Sequence, residues 1–142
     1  MIVATSAIVC LLKDEPAKTG VLRQLLEGDP LRMSTATASE LFAVAARWIE
    51  PVAQRAVDDL LTELGIELVP YDARQLKAFK VAYITYGRGG HNSSLARLSF
   101  GDCFAYALAK VTGEPLLFVG EHFSHTDITP AWPCRRHSVW SP

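Results

Sequence analysis

Cysteine is scarce in this 142-residue chain: there are three, Cys10, Cys103 and Cys134, far apart and odd in number. No C-x-x-C pair exists, which argues against the common zinc and redox motifs. The cysteines therefore read as small apolar residues in a reducing compartment. No apolar run is long enough to span a bilayer. The apolar start from Met1 to Leu12 has no basic n-region, and Lys13-Asp14-Glu15 follows without a small-residue cleavage site. A cytoplasmic protein is expected, in which the glycosylation-like Asn92-Ser93-Ser94 has no meaning. Positive charge is not in excess: the formal net charge is −1. Bulk charge thus gives no support for sequence-independent nucleic-acid binding, although a local basic patch remains open. Also absent are a G-x-G-x-x-G after the first strand, a G-K-[ST] after the Gly87–Gly90 run and a G-x-S-x-G. These absences disfavour a dinucleotide fold, a P-loop and a serine hydrolase.

What is present is the pattern of one α/β domain. Hydrophobic residues make up 49% and charged residues 20%, a balance that buries a core. Short apolar runs at residues 1–5, 31–34, 66–70 and 116–120 predict strands. Between them lie helical patterns over residues 7–13, 17–27, 35–50, 53–64, 72–86 and 99–112. Thr35 or Thr37 can cap the third helix, Glu40 standing at capping-box spacing from Thr37, and Asp72 is placed to cap the helix that follows it. Strands alternating with helices predict a central parallel sheet of four to five strands, with helices on both faces. No repeat or linker divides the chain. Residues 1–130 form the expected domain, and residues 131–142 a loosely ordered tail.

Ligands of such sheets bind beyond the carboxyl ends of the strands. Ala4, Thr5 and Ser6 follow the first strand. Glu40 lies near the start of the third helix, Asp102 at the start of a later one, and Glu121, His122 and Asp127 after the fourth strand. Helix-start acids are favoured by the helix dipole alone, so position makes Glu40 and Asp102 structural acids as readily as functional ones. Two such acids of the same polarity, with a third after strand four, favour a divalent-cation site. Clustered carboxylates need neutralising, and Mg²⁺ prefers oxygen donors. A phosphoacceptor domain is a weaker alternative, because the ends of strands one and three carry Ala4 and Pro70-Tyr71 instead of an aspartate.

Four ordered motifs stand out: M-I-V-x-T-S-A-I-V, the S-E-L of Ser39–Leu41, G-D-C-F-A-Y-A-L-A-K, and L-L-F-V-G-E-H-F-S-H-T-D-I. Together they resemble the VapC toxins, PIN-domain ribonucleases of type II toxin–antitoxin pairs. The segment Y-x-T-Y-G-R-G-G-H-N is similar to a mycobacterial-type subgroup. The resemblance implies a PIN-like fold and Mg²⁺- or Mn²⁺-dependent cleavage of RNA, of the tRNA or ribosomal RNA class. It implies a cognate VapB-type antitoxin and a homodimer.

It also implies a site. The family's second and third acids match Glu40 and Asp102, with Glu121 as a possible further ligand. Its first acid, an aspartate, falls at Ala4, and its fourth falls at His122. Imidazole suits softer ions than Mg²⁺. A chain inactivated or weakened at Ala4 is therefore expected. The alternative is a catalytically inactive homologue that serves as an antitoxin-binding module. Candidate substrate contacts are Thr5, Ser6, Arg88, His91 and Asp127, with Arg97, Lys80 and Lys110 as further cations. Each of the cations reads equally as a solvated surface charge.

Overall fold

The computed structural model describes residues 1–48, 51–88 and 95–132. His91, Asn92, Cys134 and the tail beyond Trp132 lie outside the described residues. The elements run β1 (Ile2–Val3), α1 (Thr5–Leu12), α2 (Lys18–Leu25), β2 (Arg32–Ser34), α3 (Thr35–Trp48), α4 (Pro51–Glu63), β3 (Glu67–Val69), α5 (Ala73–Tyr86), α6 (Phe100–Thr112) and β4 (Leu116–Leu117), then a 3-10 turn (Phe123–His125). The four strands form one sheet in the order β3-β2-β1-β4, all neighbours parallel. Ile2 pairs with Arg32 on one side and with Leu116 on the other.

Strand alternation divides the core in two. Val3, Met33 and Leu117 face Ile8, Val21, Leu41, Val57 and their neighbours from α1 to α4. Ile2, Ala4, Leu116 and Phe118 face Ala82, Cys103, Tyr106 and Leu108 from α5 and α6. The chain moves outward from β1 through β2 to β3, then returns to lay β4 on the far side of β1. The helices change face at that reversal, so the carboxyl ends of β1 and β4 flank a topological switch point, where open α/β sheets place their ligands.

The strands are shorter than the apolar runs that predict them. α1 already begins at Thr5, with Ala4 as its N-cap. Pro70 has no N–H to continue β3. Gly120, at φ +104°, turns the chain away after Val119. The outer edge of β4 is covered by residues 129–131: the Leu116 N–H donates to the Thr129 carbonyl, and the Ala131 N–H donates to Leu116, both at 2.9 Å. That single bridge stands where a fifth strand would.

Two caps separate the expected from the observed. Asp72 caps α5 as its spacing predicts, accepting from the Gln75 N–H at 3.0 Å. Neither threonine caps α3: the helix already begins at Thr35, Ser34 Oγ accepts from the Ala36 N–H, Thr35 Oγ1 accepts from the Tyr71 N–H, and the Thr37–Glu40 box does not form. The capping box lies instead at α6. There Ser99 Oγ accepts from the Asp102 N–H at 3.1 Å, and Asp102 Oδ2 accepts from the Ser99 N–H at 3.0 Å.

Candidate functional site

Ala4 leaves β1 buried, 2% exposed, on the α6 side of the sheet. Its neighbour Thr5 opens α1, and Thr5 Oγ1 donates to Glu40 Oε1 of α3 at 2.6 Å. The same carboxylate lies against the first turn of α6, so closely that a Cβ on Gly101 would collide with it. Three helices from distant parts of the chain therefore meet at Glu40. Gly101 is required by this close approach; its helical position alone would favour alanine.

Asp102 follows Gly101 directly. Burial holds the Glu40 carboxyl above the ordinary glutamate range; the Thr5 hydrogen bond opposes this, and the negative charge of Asp102 adds to it. Burial and Asp102 together push the Cys103 thiol up to about 12, so this cysteine is no nucleophile. The cationic partner that the structure offers Asp102 is the His122 imidazole, with Nδ1 3.5 Å from Oδ2. Imidazole counts as a cation only when protonated.

The other candidates separate. Glu121 is exposed beyond β4, where its carbonyl accepts from the Ser124 N–H and hydroxyl. Ser6 Oγ accepts from the Val119 N–H at 3.0 Å, a brace between α1 and the end of β4. Asp127 is engaged elsewhere, accepting from the Tyr106 hydroxyl at 2.7 Å and from Lys110 Nζ at 2.5 Å. Lys110 is therefore paired. Arg88, Arg97 and Lys80 are exposed and do not line the cleft at Glu40.

That cleft has a volume of about 590 Å³ and runs between α3 and the start of α6. Glu40, Ser39, Arg47, Phe100, Gly101 and Phe104 line it. Neither Arg47 nor Phe100 was singled out as a site residue from the sequence. A signal for Arg47 existed: it follows Glu40 by seven residues, two turns along the same face of α3. Phe100 stands two residues before Asp102 but reads as one more apolar residue of a helix.

The donor set can be weighed against a divalent cation. The charge of Asp102 acts on the Glu40 carboxyl, and among the described residues neither acid forms an ion pair with a lysine or arginine. Among the described residues, no three His, Cys, Asp or Glu side chains are grouped closely enough to hold a metal, so Glu121 does not complete a triad. Two carboxylates with water suffice for a hard cation such as Mg²⁺, which keeps several of its waters. The pair fits a minimal site of that kind.

A family model described as PIN domain matches residues 1–128. Ribonuclease VapC42 of Mycobacterium tuberculosis is 49% identical over 133 residues, covering 92% of this chain and 98% of that protein. Among solved structures, the fold is similar to M. tuberculosis VapC20, a sarcin-ricin loop cleaving toxin. That match has a TM-score of 0.73 at 16% identity, over 93% of this chain and 98% of the other. It is also similar to a chain of a toxin–antitoxin complex from Klebsiella pneumoniae, with a TM-score of 0.62 at 12% identity over 92% of each chain.

Proposed function

The chain belongs to the VapC family of PIN-domain proteins, and from that membership we propose that it is the ribonuclease toxin of a toxin–antitoxin pair, with its metal site weakened at Ala4. The observation that carries this proposal is the meeting of Glu40 and Asp102 beyond the carboxyl end of the sheet, with Thr5 fixing one carboxylate oxygen at 2.6 Å. Mg²⁺ or Mn²⁺ is the proposed cofactor, and Glu40 and Asp102 are the residues that would hold it. When bound, a divalent cation neutralises charge on a phosphodiester and lowers the pKa of a bound water.

The chain's own residues set the conditions for that chemistry. Thr5 and the bare backbone at Gly101 hold the Glu40 carboxylate in one orientation. The capping box holds Asp102 at the positive end of α6. Ser6 ties the α1 start to Val119, and so to the segment that carries Glu121 and His122. Ala4 offers only a methyl group where a third carboxylate would add to cation affinity.

A VapB-type antitoxin, an RNA of the tRNA or ribosomal class and a homodimer are the proposed partners. The exposed apolar side chains Leu76, Val81 and Ile84 along α5 support a protein contact on that face. A chain that only binds an antitoxin is less favoured, since the carboxylate pair and its supports are intact and a relative covered over 98% of its length bears the name ribonuclease. A cytoplasmic location is proposed; no helix of the described residues is long and apolar enough to cross a membrane.

The test is Ala4→Asp. Calorimetric titration with Mg²⁺ and Mn²⁺ is expected to show affinity at least ~10-fold above the unmodified chain, accompanied by cleavage of total RNA. If Ala4→Asp binds no cation and cuts nothing, the ribonuclease proposal fails for this chain.

A further inference from the structure

Phe100 is 63% exposed, although its ring is held edge-on by Phe79 and Phe104 at centroid distances of 5.3 and 5.0 Å. A large aromatic braced by two other rings yet left in water is placed to take a stacking partner. It lines the same cleft as Glu40 and Arg47. Arg47 is exposed and has no carboxylate partner among the described residues. The cleft thus carries a carboxylate, a guanidinium and an aromatic ring on a chain whose net charge is only −1. Arg47 and Glu40 are seven residues apart on α3, about 10 Å along the axis, so a short stretch of strand reaches both.

Given the ribonuclease reading, on which this inference rests, we propose that the cleft between α3 and α6 is a subsite for an unpaired nucleotide of the substrate RNA. The base stacks on Phe100, and Arg47 takes a backbone phosphate. The neighbouring phosphodiester then lies toward Glu40 and Asp102. A base inside a duplex has both faces covered by its neighbours and cannot stack on a protein ring, so Phe100 engages only an unpaired base. A nucleotide suits the cleft better than a protein segment, because every nucleotide brings both a flat ring for Phe100 and an anion for Arg47, whereas a protein brings both only where an aromatic and an acidic side chain coincide.

The test measures binding, not cleavage. Fluorescence anisotropy with EDTA present compares a labelled unpaired oligoribonucleotide with a duplex of the same composition. The wild type is expected to prefer the unpaired strand. Phe100→Leu, which keeps an apolar contact with Phe79 and Phe104, is expected to weaken unpaired-strand binding ~10-fold and erase the preference, while Phe100→Trp preserves it. Arg47→Gln is expected to weaken binding and flatten its salt dependence by about one phosphate contact. If the wild type binds unpaired RNA and Phe100→Leu and Arg47→Gln bind it equally well, the subsite is overturned while the ribonuclease reading stands. If Phe100→Leu spares RNA and instead loosens self-association or binding of the co-expressed antitoxin, the ring is a protein contact and the subsite is likewise overturned. If neither the wild type nor Ala4→Asp binds or cuts any RNA, both readings fall together.

Discussion

Thr5 Oγ1 donates a 2.6 Å hydrogen bond to Glu40 Oε1, joining side chains 35 positions apart across the carboxyl end of the sheet. This bond opposes the burial that raises the Glu40 carboxyl. Thr5→Val keeps the side-chain shape and removes the donor. The Glu40 titration midpoint, followed by carboxyl NMR, is expected to move further up. Stability near neutral pH is expected to fall by about 1 kcal/mol. A midpoint that stays put would show that the hydroxyl does not govern this carboxylate.

Because the folded Glu40 holds its proton more tightly than the unfolded chain does, its effect on stability has a definite sign. The contribution is fully present below the ordinary glutamate value and is lost as pH rises through the raised folded value. Urea midpoints measured across that window are expected to decline in the wild type relative to Glu40→Gln. Addition of Mn²⁺ is expected to offset the decline, since a cation stabilises the ionised pair.

Glycine at 101 inverts a usual rule. Gly→Ala within a helix ordinarily stabilises by about 0.5–1 kcal/mol. Here the added methyl meets the Glu40 carboxylate, so Gly101→Ala is expected to destabilise by about 1–3 kcal/mol in chemical denaturation. Adding Glu40→Ala removes the obstacle and is expected to restore most of the loss, giving a coupling energy in a double-mutant cycle. Additive effects would mean that the two groups do not share this space.

The order of elements and the parallel sheet were legible in the sequence because period and punctuation carry them. Apolar runs bounded by Pro70 and Gly120, and the cap at Asp72, are local signals. The convergence of Glu40 and Asp102 followed from strand-end logic. The Thr37–Glu40 spacing misled because a capping box needs its threonine just before the first helical residue, and α3 already begins at Thr35. Glu40 instead receives its hydrogen bond from Thr5, a tertiary contact that no local pattern reports. Asp127 followed the family motif, yet its carboxylate is taken by Tyr106 and Lys110 on α6. Phe100 and Arg47 were missed because a site aromatic and a site cation carry no spacing of their own.

Asp127 ties the segment after β4 to α6. Burial alone would raise its pKa, but hydrogen bonds from Lys110 and Tyr106 outweigh this and hold it below the ordinary aspartate range. Its contribution is therefore present above the ordinary aspartate value and is lost as pH falls through the depressed one. Both charged ends are about half exposed, so the ion pair itself stabilises little; Lys110→Met is expected to cost under about 1 kcal/mol. Tyr106 is buried, and Tyr106→Phe leaves Asp127 short of a donor, at an expected cost of about 1 kcal/mol by thermal melting.

Asp102 holds two offices that substitution can separate. Its carboxylate accepts from the Ser99 N–H in the capping box, and it stands beside Glu40 as the second acid of the proposed cation site. Asp102→Asn keeps a side-chain oxygen for the Ser99 N–H and discards the charge. It is expected to melt within about 0.5 kcal/mol of the wild type, yet to lose Mn²⁺ binding in calorimetry of the Ala4→Asp background. Asp102→Ala discards both, and is expected to lose about a further 1 kcal/mol of stability. Ser99→Ala is the converse: it removes the hydroxyl that Asp102 N–H donates to and leaves the charge, so it is expected to lose stability and retain the cation. Should Asp102→Asn bind Mn²⁺ as tightly as its parent, Asp102 is a helix cap alone, and the carboxylate pair is not what holds the metal.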